Sequence, residues 1–442
     1  MKNILVIGAG RSAITLIKYL LDHSMVNNWM ITVADFSEEL AKEAVAMHKN
    51  GRSIFFNVKD EVQREKEIVN SSIVISMLPA DLHIIVAKDC VRLKKDLVTA
   101  SYVSPDIAAL DESAKESGVL LLNEIGLDPG IDHMSAMRVI DEIKEKKGIL
   151  TSFKSFCGGL VHPDYDNNPW NYKFTWNPRN VVLAGQGTAQ YIEQGLYKYI
   201  PYTKLFERIE EVEVLDAGNF EGYANRDSLS YRRLYGLENI PTLFRGTLRK
   251  KGYSEAWNIF VQLGLTDDSY KLVNSENINN RDFINMFLPF DPVLTVEEKL
   301  CKQFGLTTNS LIYKKIDWLG IFSESSMKIK NASPAQILQS ILEAKWGLGP
   351  EDQDMVVMQH QFEYIINRQK KKLNSSLLVF GETPKFTSMA KTVGLPVAIA
   401  TKLILNGKIK STGVKIPIEK EFYIPVLQEL EENEIKFIDE LV

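Results

Sequence analysis

A chain of 442 residues, 45% apolar and 25% charged, has length for two or three domains at about 150 residues each and enough apolar side chains for sizeable cores. That balance excludes disorder and fibrous structure, and a net charge of −5, from 57 acidic and 52 basic residues, argues against nucleic acid or an anionic membrane as partner. A small molecule is the expected ligand. No uncharged apolar stretch approaches the roughly 18 residues of a membrane-spanning helix, and MKNILVIGAGR reads into a structural pattern rather than a signal peptide. Cys90, Cys157 and Cys301 are isolated, and the six histidines lack ligand spacing, so neither a disulfide framework nor a metal is expected and a reducing, cytoplasmic compartment is.

In chain order, apolar runs predict strands at 3–7, 30–34, 53–57, 72–78, 97–101 and 119–124. Amphipathic stretches alternate with them, the pattern of βαβ units in a parallel sheet. In the first helix, Ile14, Ile17, Leu20 and Leu21 share one face. From about Gly148 the texture changes to longer aromatic segments, predicting a second, α+β domain. Helix signals dominate between Thr266 and Gly349, including a capping box from Thr295 to Glu298 and a Ser333-Pro334 start with Gly347 as the C-cap. MVVMQHQFEYII and SSLLVFGE then predict two strands joined by a basic turn at Arg368 to Lys372, and the tail holds two helices that could return to cover the first domain.

Gly8, Gly10 and Ala13 form G-x-G-x-x-A between the first strand and the first helix. Gly8 permits the turn, Gly10 lets the backbone approach a pyrophosphate, and Ala13 allows close helix packing. Arg11 and Ser12 lie inside this loop, where free N–H groups and the helix dipole favour phosphate. Asp35 closes the second strand, where a carboxylate can hydrogen-bond the adenosine ribose and repel a 2′-phosphate, favouring NAD over NADP; the competing structural reading is a helix cap. Ser76, Met77 and Leu78 at the end of the fourth strand, and Ala100, Ser101 and Tyr102 after the fifth, are expected as backbone contacts to the cofactor at the carboxyl ends of the strands. No YxxxK occurs, which disfavours a short-chain dehydrogenase.

Four further segments are too peculiar for generic core: NEIGLDPGIDH at 123–133, CGGLVHPDYDNNPWNYKFTWNPR at 157–179, ANRDSLSYR at 224–232 with FRGTLR at 244–249, and SMAKTVGLP at 388–396. With the glycine fingerprint, and over nearly the whole chain, they resemble the glutamate-forming saccharopine dehydrogenases. The resemblance implies an α/β fold: a Rossmann doubly wound parallel-sheet domain at 1–128 completed by 387–442, an α+β substrate-binding and dimerisation domain at 129–265 and 350–386, and an all-helical insertion at 266–349. It also implies a homodimer, and a reaction in which saccharopine, NAD(P)+ and water give L-glutamate, 2-aminoadipate 6-semialdehyde and NAD(P)H, or the reverse.

Saccharopine carries three carboxylates, which call for arginine forks. Arg226 falls on the family's substrate-binding arginine, with Arg245, Thr247 and Asn225 as companions and Ser101 and Tyr102 as further contacts. Structural ion pairs, for instance with Asp227, are the competing reading for both arginines. Asp128 reads either as a helix N-cap before Pro129 or as a carboxylate facing the substrate amine, as the family uses it. Proton transfer needs an acid or base, for which Asp128, Tyr102 and Lys173 are candidates. The family pattern places Trp176 and Asn177 near the nicotinamide, although aromatic residues of that stretch more often pack as core. Departures from the pattern are Trp170-Asn171 for Leu-Gly, Val161-His162 for Pro-Ala, and Asp35 where the NADP-preferring fungal enzymes carry neutral or basic residues. Competing readings are another opine-like imine reductase, such as a carboxynorspermidine dehydrogenase, and a non-catalytic dinucleotide-binding regulator.

Overall fold

The computed structural model describes residues 1–184 and 186–442. Sixteen strands are described: β1 (Lys2–Ile7), β2 (Trp29–Asp35), β3 (Gly51–Phe55), β4 (Ile73–Ser76), β5 (Asp96–Val98), β6 (Leu120–Leu122), β7 (Ile149–Val161), β8 (Ala189–Glu193), β9 (Leu196–Ile200), β10 (Ile209–Glu213), β11 (Asn219–Ala224), β12 (Thr242–Arg249), β13 (Asp354–Ile366), β14 (Gln369–Phe380), β15 (Gly413–Lys415) and β16 (Ile438–Leu441). The chain itself divides into two compact units.

The first unit holds Met1–Leu150, Tyr364–Lys370 and Leu377–Asp439. Its sheet runs β15-β6-β5-β4-β1-β2-β3, with every neighbour parallel. Parallel strands covered on both faces need continuous apolar runs, and ILVI of β1 and IVI of β4 are buried throughout, whereas edge strand β3 is half-exposed. Ile17, Leu20 and Leu21 of helix Ile14–Asn27 are buried as their spacing predicts. The seventh strand, β15, comes from the C-terminal tail, where the sequence showed only helices. Three residues with a lysine at the end are too short for a period-2 signal; pairing with β6 makes the strand.

This unit also runs past the boundary expected at 128. Helix Ile131–Glu145 packs within it against helix Lys420–Glu432, where the Tyr423 hydroxyl donates to Asp141 at 2.7 Å. Helix Ser388–Leu405 is long and apolar enough, by length and composition, to cross a membrane, but 72% of that window is buried. Its SMAKTVGLP start seats Gly394 against the first helix: a β-carbon there would lie 2.9 Å from the Leu16 nitrogen.

The second unit comprises Thr151–Glu363, Lys371–Ser376 and Glu440–Val442. Its sheet runs β10-β11-β12-β7-β13-β14-β16, with β8 attached to β12 and β9 to β8. The predicted basic turn between β13 and β14 is a tighter one at Asn367 and Arg368, whose φ values of 51° and 63° suit a two-residue hairpin; the lysines continue the strand. Helices Asn280–Asn285, Val296–Phe304, Leu311–Trp318 and Pro334–Trp346 fill the segment expected as an insertion; the predicted capping box at Thr295 and Glu298 is formed, and the predicted start at Ser333 is a capping box with Gln336 as well. This segment makes no compact unit of its own. The reason is a shared aromatic core: Trp170 and Tyr172 lie 5.1 and 5.0 Å from Trp346, and the Phe174 N–H donates to the Trp346 carbonyl.

Candidate functional site

In the first unit the glycine loop leaves β1 in a conformation only glycine tolerates easily. Gly8 has φ 104°, and a β-carbon would meet the Met77 carbonyl oxygen at 2.7 Å. Gly10 differs: a β-carbon there meets nothing within 4 Å, so protein packing does not require a glycine. No side chain caps the turn Arg11–Ala13 or the helix that continues it. The Ala13 N–H donates to the Gly10 carbonyl at 2.9 Å, and the uncapped start of the helix beside the open backbone of Gly10 fits a pyrophosphate. Arg11 is exposed, Ser12 half-buried and Ala13 buried against the fold.

Asp35 ends β2 with both carboxylate oxygens engaged, Oδ2 accepting from the Ala9 N–H at 2.7 Å and Oδ1 from the Ser37 N–H at 2.8 Å. The predicted helix cap is Ser37 instead, whose hydroxyl accepts from Leu40. Asp35 therefore ties the glycine loop to the end of the second strand.

Ser76 is fully buried, whereas Met77, Leu78, Ala100 and Ser101 are half-buried along the carboxyl ends of β4 and β5. Tyr102 beyond them is 36% exposed, with its hydroxyl 3.5 Å from Asp128 Oδ1. Two candidate proton carriers thus stand side by side. Asp128 is not the helix cap: the helix starts at Ile131, Gly130 is the cap residue, and the Asp128-Pro129 bond is cis. The intervening loop folds back so tightly that a β-carbon on Gly130 would sit 2.1 Å from the Gly126 oxygen, which leaves the half-buried Asp128 carboxylate outside the helix.

Glu124 and His133 in the same motif clamp this region from behind. The Glu124 N–H donates to the Ser101 carbonyl, its Oε1 accepts from the Val103 N–H, and its Oε2 lies 2.9 Å from His133 Nε2. His83 joins Ser76 to Ser101 through its two ring nitrogens. Burial pulls its pKa down to about 4, against a weaker opposite pull from Asp81, so the ring is neutral at neutral pH. Sequence spacing marks none of these three residues, because each acts through a neighbour brought close by the sheet.

The second unit contributes β12. Alternate residues of a strand share a face, and here they are Arg245, Thr247 and Arg249. Register sets Tyr223 of β11 and Cys157 of β7 beside Thr247, and Ser155 beside Arg245. A central strand whose inner side is cationic and hydroxylic rather than apolar points to a ligand. The Arg245 guanidinium is buried over the Tyr231 ring, 4.1 Å from its centre, and its backbone N–H donates to Ser228 Oγ. The Asn225 N–H donates to the Arg245 carbonyl, which joins the two predicted motifs directly. Arg226 is exposed, in a left-handed conformation at φ 46°. Its neighbour Asp227 accepts from the Leu229 and Ser230 N–H groups, so that carboxylate shapes the turn. Arg249 ends β12 and the RGTLR motif. It is buried between the rings of Tyr172 and Tyr253 at 4.8 and 5.3 Å, with no carboxylate in ion-pair range among the described residues.

Two candidates have other work. The Lys173 ammonium is buried in an ion pair with Asp352, which neutralises it and leaves it a tie within the unit instead of a free proton donor. Asn177 is exposed and caps helix Pro178–Val182, its side chain accepting from the Arg179 N–H at 2.9 Å. Trp176 before it is half-buried.

Comparison with known proteins matches the saccharopine dehydrogenase NADP binding domain over residues 4–122 and the saccharopine dehydrogenase C-terminal domain over residues 126–435. The chain is 33% identical to the mitochondrial alpha-aminoadipic semialdehyde synthase of Bos taurus over 99% of its own length and 47% of that protein's. It thus spans about half of the first curated relatives it matches. It is also 33% identical to the NADP(+), L-glutamate-forming saccharopine dehydrogenase of Saccharomyces cerevisiae, over 98% of this chain and 97% of that one. A solved structure of the L-Glu-forming saccharopine dehydrogenase from the same yeast superposes over all of both chains, with a TM-score of 0.90 at 31% identity. With both family domains in order along one sequence, the chain belongs to the saccharopine dehydrogenase family.

Proposed function

We propose that this chain is an oxidoreductase that uses a nicotinamide dinucleotide to interconvert saccharopine and water with L-glutamate and 2-aminoadipate 6-semialdehyde, a step of lysine metabolism. The observation that carries the reading is the buried cationic face of β12, where Arg245 and Thr247 suit the carboxylates of an amino-acid substrate. A regulator without turnover has no need of such a face. When bound, the dinucleotide supplies the hydride acceptor or donor; everything else falls to side chains of this chain. Arg226, Arg245, Thr247 and Asn225 would hold carboxylates, and Asp128 with Tyr102 would move protons at the substrate nitrogen and at the water oxygen. Lys173 has no part in this scheme.

The relatives named for NADP support that cofactor, while the Asp35 carboxylate at the end of β2 supports NAD. Our reading is that this chain departs from those relatives and prefers NAD. A homodimer in a reducing, cytoplasmic compartment completes the proposal. The test follows NADH and NADPH absorbance with saccharopine, then with glutamate plus the semialdehyde. Turnover with saccharopine is expected; none with either cofactor would overturn the proposal.

A further inference from the structure

Ser76 closes β4, His83 opens helix His83–Leu93, and Ser101 follows β5. His83 Nδ1 lies 2.8 Å from Ser76 Oγ, and Nε2 lies 2.6 Å from Ser101 Oγ. Ser76 is 0% and His83 1% exposed, whereas Ser101 is half-buried. The backbone of Ser101 is fixed on both sides, its N–H donating to Thr99 Oγ1 and its carbonyl accepting from the Glu124 N–H.

A neutral imidazole has one N–H and one lone pair, and a hydroxyl has one proton, so only two arrangements satisfy the ring. In the first, Nδ1–H donates to Ser76, and Ser101 donates to Nε2. The Ser76 proton then has no acceptor among the described residues, at a site closed to water, and a buried unmade hydrogen bond is costly. In the second, Ser76 donates to Nδ1, and Nε2–H donates to Ser101 Oγ. Every buried group is then satisfied, and the Ser101 proton points away from the ring on its less buried side.

We infer that His83 is a positioning residue that holds the Nε2–H tautomer and so makes the Ser101 hydroxyl a dedicated donor to an acceptor oxygen of a bound ligand. That oxygen belongs to a substrate carboxylate or to the dinucleotide carboxamide. The ligand rests on the function proposed above; the tautomer does not.

The first measurement is a long-range ¹H–¹⁵N spectrum of the imidazole rings, with the His83 signals assigned by their loss in His83→Gln. Nε2–H is expected, and Nδ1–H at neutral pH would overturn the inference. The second is kinetic. Ser101→Ala should raise the KM of one ligand, saccharopine or dinucleotide, by ten- to a hundredfold, the range of a lost hydrogen bond to an oxygen acceptor. Which KM rises identifies the oxygen. His83→Leu should raise the same KM by about tenfold, and His83→Gln, which keeps an N–H towards Ser101, by less than about threefold. Added to Ser101→Ala, His83→Leu should change nothing further. Multiplicative effects in the double variant, or equal rises in both KM values, would make His83 merely structural. A wild-type chain inert towards saccharopine would defeat the proposed function and leave the imidazole spectrum still decisive here.

Discussion

The glycine loop after β1 and the Arg245–Thr247 face of β12 differ in what they would offer a ligand. The loop uses backbone: a left-handed Gly8, an open Gly10 and uncapped N–H groups, all within one turn of chain. The β12 face uses side chains gathered from three strands, with Tyr223, Cys157 and Ser155 set beside Thr247 and Arg245 by register alone. Backbone recognition is written in consecutive residues, while side-chain recognition is written in the pairing of strands far apart in sequence.

The largest effect that sharpens this contrast is expected at Arg245. Arg245→Lys keeps the charge but loses the fork and the flat contact with Tyr231. A rise in saccharopine KM of about a hundredfold, with the dinucleotide KM unchanged, is expected if the guanidinium holds a carboxylate. Equal rises in both would break the assignment of this face to substrate.

Next come the two glycines. Gly8→Ala should lower thermal stability and weaken dinucleotide binding together, because the added carbon strikes the Met77 carbonyl at a positive φ; about 1 to 3 kcal/mol is the usual cost of such strain. Gly10→Ala should leave the melting temperature in place and weaken dinucleotide binding by about tenfold, since only a ligand would meet its methyl group. A Gly10 variant that binds normally would remove the pyrophosphate from this loop.

The same contrast explains what was legible. The fingerprint, the capping box at Thr295, the helix start at Ser333 and the apolar strands of the first sheet could be read because each is a local pattern. β15 could not, being three residues made a strand by β6. The motifs NRDS and RGTLR were legible only through family resemblance, which singles out neither the buried Arg249 nor the pairing of Lys173 with Asp352. The physical source is one: a buried charge takes its surroundings from its partners, and Asp352, Tyr172 and Tyr253 are distant in sequence or not acidic.

His83 adds a pH signature to the first unit. Its folded pKa of about 4 lies below the ordinary 6.5, so below that pH the unfolded chain takes up a proton that the folded chain refuses. Its contribution is complete above about pH 6.5 and is lost as pH falls towards 4, at up to about 1.4 kcal/mol per unit. Denaturant midpoints across this window should fall more steeply in the wild type than in His83→Gln. Parallel curves would show that the ring titrates normally.

The effect at Asp35 is the most discriminating, because Asp35 has two tasks. Its oxygens hold the Ala9 and Ser37 N–H groups, and its charge stands where a 2′-phosphate would approach. Asp35→Asn separates them: the amide oxygen keeps an acceptor for one N–H, and the charge is gone. If charge selects the cofactor, the ratio of kcat/KM for NADP over NAD should rise about tenfold in Asp35→Asn and Asp35→Ala alike, the size of a like-charge contact at about 4 Å in largely aqueous surroundings. If Asp35 only ties the loop, the Ala variant should lose activity with both cofactors, the Asn variant should lose less, and neither ratio should move. The acid at the end of β2 would then be part of the backbone device that surrounds Gly8, and cofactor choice would belong to side chains elsewhere in the first unit.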